Sequence, residues 1–168
     1  MTTATLEQVW VALEGLTDPE IPVVTLRELG ILRDVRSGPD GLVEVVITPT
    51  YSGCPAMGQI EDDVRATLEN AGIAARVITQ LSPAWTTDWM SESGKEKLRA
   101  YGIAPPHQTP AGSSVMHFIS KPAKADAVPC PHCGSSNTRE SAHFGSTACK
   151  ALYKCQDCQE PFDYFKPY

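Results

Sequence analysis

Two pairs of cysteines near the C-terminal end, Cys130-Pro-His-Cys133-Gly and Cys155-Gln-Asp-Cys158, limit the folds open to this chain more than any other feature. Two thiolates separated by two residues face one ion from a tight turn, and a second such turn completes a tetrahedral set of four sulfurs. The 21 residues between the pairs suit two strands running out and back, the construction of a zinc ribbon. In so short a module the metal takes the place of a core too small to stabilise itself. A closed site of four sulfurs is a folding device rather than a catalyst, and the affinity order of divalent ions favours zinc over Fe²⁺ there. Iron in the same geometry would make the module an electron carrier, or a cluster site if three more irons were accommodated.

The 168 residues, a fifth of them charged, leave room for one domain of roughly 100 residues beside the ribbon. Met1 to Leu16 carries no basic leader, and Glu7 and Glu14 interrupt its apolar residues, so neither a signal peptide nor a transit peptide is read there. No membrane span is evident. A cytoplasmic, reducing compartment is expected, where paired cysteines mean metal or redox chemistry more often than disulfides. The net charge is −6; residues 1–127 carry ten basic and sixteen acidic side chains, and residues 128–168 four of each. That balance supplies no basic face for phosphates, and nucleic acid is not an expected partner.

The remainder reads as an α+β domain in the order α-β-β-α-β-α, a small mixed sheet with helices, followed by a three-stranded ribbon. Leu6, Val9, Trp10, Leu13 and Leu16 form one apolar stripe at helical spacing. Ile31–Arg36 and Leu42–Thr48 read as a hairpin around Ser37-Gly-Pro-Asp-Gly41, the second run apolar on both faces apart from Glu44 and therefore central. A helix begins near Pro55 with Met57, Ile60, Val64 and Leu68 on one side. Ala75–Leu81 should be a third strand, parallel to the second because a right-handed crossover connects them. A shorter helix spans Glu92–Tyr101. The domains are therefore set at 1–103, a Pro/Ala/Gly/Ser-rich linker at 104–127 with an added strand over Ser114–Ile119, and the ribbon at 128–168.

Cys54 ends Thr48-Pro-Thr-Tyr-Ser-Gly-Cys54-Pro55, between a central strand and a helix. A thiol there feels the open N–H groups of the helix start, which favour thiolate and make it a better nucleophile or metal ligand. The alternative is a small apolar residue packed beneath the turn. Asp18-Pro19-Glu20 has the pattern of a cap with a first-turn proline; its functional alternative is a pair of oxygen ligands near Cys54. Cys149 is read as a buried strand cysteine or a fifth thiol near the metal, His132 as facing solvent. Trp85 and Trp89 are packing residues or an exposed aromatic contact for a partner.

Asp18-Pro-Glu-Ile-Pro22, Glu28-Leu-Gly-Ile31 and the run from Thr48 to Pro55 together resemble the iron-sulfur cluster assembly domain that also occurs in SufT-like proteins, over roughly residues 5–103. With the ribbon, Phe144-Gly-Ser-Thr-Ala-Cys149-Lys and the terminal Pro-Phe-Asp-Tyr-Phe-Lys, the whole chain resembles the PaaD family, associated with the bacterial phenylacetyl-CoA epoxidase of aerobic phenylacetate degradation. The resemblance implies a non-catalytic accessory role, assisting iron or iron-sulfur cluster insertion or repair. It implies a transient iron or cluster at Cys54 with Asp18 and Glu20 as the acidic motif, and a structural zinc held by Cys130, Cys133, Cys155 and Cys158. The implied partners are the oxygenase and reductase components of the epoxidase, without membrane or nucleic acid, and with room for a homodimer. The alternative is an electron-transfer component with iron in the four-cysteine site.

Overall fold

The computed structural model describes residues 4–107 and 127–167. The chain divides into two compact units, Met1–Gly94 and Lys95–Tyr168.

In the first unit, α1 (Leu6–Leu13) starts at a capping box. The Thr5 hydroxyl accepts from the Gln8 N–H, and the Gln8 side chain accepts from the Thr5 N–H, so two donors that a helix start leaves open are satisfied reciprocally. Val9 and Leu13 are fully buried, while Leu6 is partly open. The hairpin strands follow as β1 (Leu32–Ser37) and β2 (Val43–Ile47), then α2 (Met57–Asn70) and β3 (Ala75–Thr79). The sheet order is β1-β2-β3, with β1 antiparallel and β3 parallel to the central β2, as the crossover through α2 requires. α1 and α2 lie against each other and against β1 and β3 respectively. Ile60, Val64 and Leu68 of α2 are all buried, and each such side chain contributes about 1.5–3 kcal/mol by leaving water.

Every residue of β2 is buried, including Glu44. Its carboxylate is matched across both neighbouring strands. Arg36 Nε donates to one oxygen at 2.9 Å, and Arg76 donates to the other through Nε at 3.1 Å and Nη2 at 2.8 Å. A second capping box, Thr25-x-x-Glu28, builds the turn ahead of β1: Glu28 Oε2 accepts from the Thr25 N–H, and Thr25 Oγ1 accepts from the Glu28 N–H. Gly30 closes that turn at φ +75°, where a Cβ would stand 2.6 Å from the Trp89 carbonyl oxygen, so only glycine fits. Trp85 is buried, and its Nε1 donates to the Leu29 carbonyl at 2.9 Å. Of the two readings of Trp85, the packing residue therefore holds and the exposed aromatic contact is corrected, because its indole N–H has a partner inside the fold. Trp89 is half-buried beneath the Arg33 guanidinium, 3.5 Å from the ring centroid.

Helix α3 (Glu92–Ala100) begins in the first unit and ends in the second. Three ribbon strands follow as expected, β5 (Thr138–Ala142), β6 (Lys150–Cys155) and β7 (Pro161–Phe165), joined antiparallel. A fourth, β4 (Ile103–Ala104), pairs parallel with Asp163 and Tyr164, giving the order β4-β7-β6-β5. Ala104, Val128, Cys130, Cys155, Phe162 and Tyr164 form one core, with Tyr153 packed against it. The strand expected over Ser114–Ile119 lies outside the described residues. No helix among the described residues is long and apolar enough to cross a membrane.

Candidate functional site

Each cysteine pair folds into the same turn. In the first, the Cys130 N–H donates to the Ser135 carbonyl, the Gly134 N–H donates to the Cys130 carbonyl, and Gly134 has φ +77°. In the second, the Cys155 N–H donates to the Glu160 carbonyl, and Gln159 takes the left-handed conformation at φ +65°. The residue after each second cysteine thus reverses the chain, and both sulfurs of a pair turn to the same side. Cys130 and Cys155 sit in the core, while Cys133 and Cys158 are at the surface.

The four sulfurs lie within 4.8 Å of one another, with Cys130 to Cys158 at 3.8 Å and Cys133 to Cys155 at 3.6 Å. A single ion with sulfur ligands at about 2.3 Å sets the edges of its tetrahedron at about 3.8 Å. The donor set therefore fits one ion. A four-iron cluster places each thiolate on a separate iron and needs the sulfurs spread wider. Among the described residues this is the only group of three or more Cys, His, Asp or Glu gathered at metal-ligand range.

Backbone N–H groups aim at the sulfurs. The Cys158 N–H, 3.5 Å from Cys155 Sγ, and after it the N–H of Asp157 outweigh burial and bring the Cys155 thiol down to about 7. At Cys158 the Glu160 N–H favours the thiolate, but burial and the sulfurs of Cys155, Cys133 and Cys130 prevail and push it up to about 12. Cys133 is likewise raised: the Ser135 N–H is outweighed by burial together with the Cys155 and Cys130 sulfurs. Four thiols crowded without an ion cannot all ionise; a divalent ion supplies the charge that lets them.

Cys149 is not in this group. It immediately precedes β6, six residues before Cys155, and a strand rise of about 3.3 Å per residue puts roughly 20 Å of chain between them. It is buried, with its Sγ 3.0 Å from Thr147 Oγ1. Cys54 is half-exposed in the turn ahead of α2. Its N–H donates to the Tyr51 carbonyl and its own carbonyl accepts from the Met57 N–H, so the helix starts two to three residues beyond it. Asp18 is buried, and its Oδ1 accepts from the N–H groups of Glu20 at 2.8 Å and Ile21 at 3.0 Å. The cap pattern read in Asp18-Pro19-Glu20 is thus realised as a turn, with the Glu20 side chain exposed. Asp18, Glu20 and Cys54 do not form a second three-ligand group among the described residues. Ser135, Asn137 and Asp157, whose side chains join the two cysteine turns, carry no ligand spacing of their own; their only signal in the sequence is that of small polar residues with turn chemistry beside the cysteines.

Residues 116–166 match the PaaD zinc beta ribbon domain and residues 6–77 the iron-sulfur cluster assembly protein family. An Escherichia coli protein named as a "Putative 1,2-phenylacetyl-CoA epoxidase" subunit is 46% identical over 162 residues, covering 96% of this chain and 92% of its own length. The chain belongs to the PaaD family. The assembly-type part is also similar to the "Fe-S protein maturation auxiliary factor YitW" of Bacillus subtilis, 34% identical over 58% of this chain and 97% of that protein. The crystal structure of a domain of unknown function, DUF59, from Bacillus anthracis is 29% identical over 55% of this chain and 89% of its own, with a TM-score of 0.49. This PaaD-family chain accordingly carries an iron-sulfur-assembly domain and a four-cysteine metal-binding ribbon.

Proposed function

We propose that this chain is a non-catalytic maturation factor for a phenylacetyl-CoA epoxidase, in which Cys54 transiently holds iron or an iron-sulfur cluster and the ribbon holds one structural zinc. The observation that carries the reading is the contrast between its cysteines in a chain so similar to a protein named as an epoxidase component: four sulfurs are gathered within 4.8 Å of one another, while Cys54 stays half-exposed in a turn. Transfer of a metal needs an accessible thiolate with coordination positions left for the recipient, whereas a closed set of four sulfurs retains its ion. Asp18 and Glu20 are the candidate oxygen ligands in this reading, and the oxygenase and reductase components of the epoxidase are the clients.

Metal analysis with an absorption spectrum on protein purified without oxygen, wild type against Cys54→Ser, tests it. One zinc per chain in both proteins, with iron or a brown cluster on reconstitution only when Cys54 is present, is the expected result. Epoxidase iron content and activity left intact in cells carrying Cys54→Ser would end the proposal. The same sample tests the electron-transfer alternative, which the sulfur separations also accommodate: iron in the ribbon, bleached reversibly on reduction and independent of Cys54.

A further inference from the structure

The two cysteine turns are tied to each other by side chains that are not ligands. Asp157 stands between Cys155 and Cys158. Its Oδ2 accepts from the Ser135 hydroxyl and its Oδ1 from Asn137 Nδ2 at 2.8 Å. Ser135 Oγ in turn accepts from the Asn137 N–H at 3.0 Å, and the Gln156 N–H donates to the Asn137 carbonyl at 2.8 Å. Ser135 follows Cys133 by two residues and Asp157 precedes Cys158 by one, so the bridge spans the turns close to their exposed ligands. Exposed hydrogen bonds taken singly are worth little, but these converge on one carboxylate and act on the motion that must occur for an ion to leave, the parting of the two turns.

We infer that the Asp157–Ser135–Asn137 bridge is a retention clamp, which keeps the four sulfurs gathered and sets how slowly the ribbon gives up its metal. The inference rests on the reading of the ribbon as a resident metal site. Asp157 is a positioning residue, acting on the ligands through the backbone of both turns, as hydrogen-bond partners outside the ligand shell do at other metal centres.

The test is the rate at which full-length protein loaded with zinc yields it to excess chelator, together with the absorption spectrum of the Co²⁺ form. Asp157→Ala is expected to release zinc about 10- to 100-fold faster, the factor by which loss of outer partners weakens metal affinity, carried here by the off-rate. The Co²⁺ bands should stay where they are in wild type, since the four sulfurs remain the ligands. Asp157→Asn, which keeps an acceptor oxygen, should fall between the two. Equal release from Asp157→Ala and wild type overturns the clamp, and so does a shifted Co²⁺ spectrum, which would make the carboxylate a ligand. Should Asp157→Ala fail to fold, Asn137→Ala removes one arm of the bridge; several-fold faster release is expected from it, and unchanged release overturns the inference. A wild-type chain that takes up neither ion defeats the resident-metal reading itself, a result distinct from a metal-bound chain indifferent to Asp157.

Discussion

Gln159 is the one non-glycine residue at positive φ among the described residues, and it occupies in the second cysteine turn the place that Gly134 holds in the first. An L side chain in the left-handed region costs about 1–2 kcal/mol, partly offset by the freedom that glycine gains in the unfolded chain. Gln159→Gly should therefore stabilise the metal-loaded ribbon by about 0.5–1 kcal/mol, and Gly134→Ala should destabilise it by a similar amount, both read from denaturant midpoints. Asp18 invites a different substitution. Asp18→Ala removes the acceptor of two N–H groups and should cost about 1 kcal/mol, whereas Asp18→Asn keeps an acceptor and should stay near wild type. Iron uptake that fails in Asp18→Asn while stability holds would separate a ligand role from a turn role. Residues of this kind were legible in the sequence where their chemistry is local. Four cysteines at fixed spacing, and an Asp ahead of Pro and Glu, announce their geometry within a few positions. At Trp85 the packing role was legible but the partner was not, because the carbonyl that receives its N–H belongs to Leu29, 56 residues away.

At the scale of elements, the central strand β2 keeps an ionised group inside a sheet by flanking it. The carboxyl of Glu44 is held below the usual glutamate range, first by the Arg36 hydrogen bond and then by Arg76, against the opposing effect of burial. A depressed folded value means that the stabilisation is fully present above the unfolded glutamate pKa and is lost as pH falls through the lower folded one. Glu44→Gln should accordingly be less stable than wild type at neutral pH and show a shallower loss of stability on acidification, as pH-dependent denaturant melts would record. Identical pH profiles would remove Glu44 from the acid response. Element order, the parallel crossover and the central place of β2 followed from periodicity and handedness alone. The strand β4 did not, since Ile103 and Ala104 carry no pattern of their own and become a strand only when β7 lies beside them.

For the whole molecule, two units imply two responses to metal removal. A chelator should abolish the ribbon's structure while the first unit, whose core is built on Val9, Leu13, Val45, Ile60, Val64 and Leu68, keeps its helical circular dichroism. Complete loss of helical signal on chelation would contradict that independence. Because Cys133 and Cys158 are thiols at neutral pH without an ion, binding expels protons, and metal affinity should fall with each step down in pH. The compositional change at Ala104 and the division of contacts after Gly94 do not coincide. Ala104, the first residue of the Pro/Ala/Gly/Ser-rich stretch, and Val128, the residue after it, lie in one core with Cys130 and Cys155. An ion held by Cys130 and Cys155 would therefore also secure β4, and amide hydrogen exchange at Ile103 and Ala104 should quicken on chelation together with that of β7.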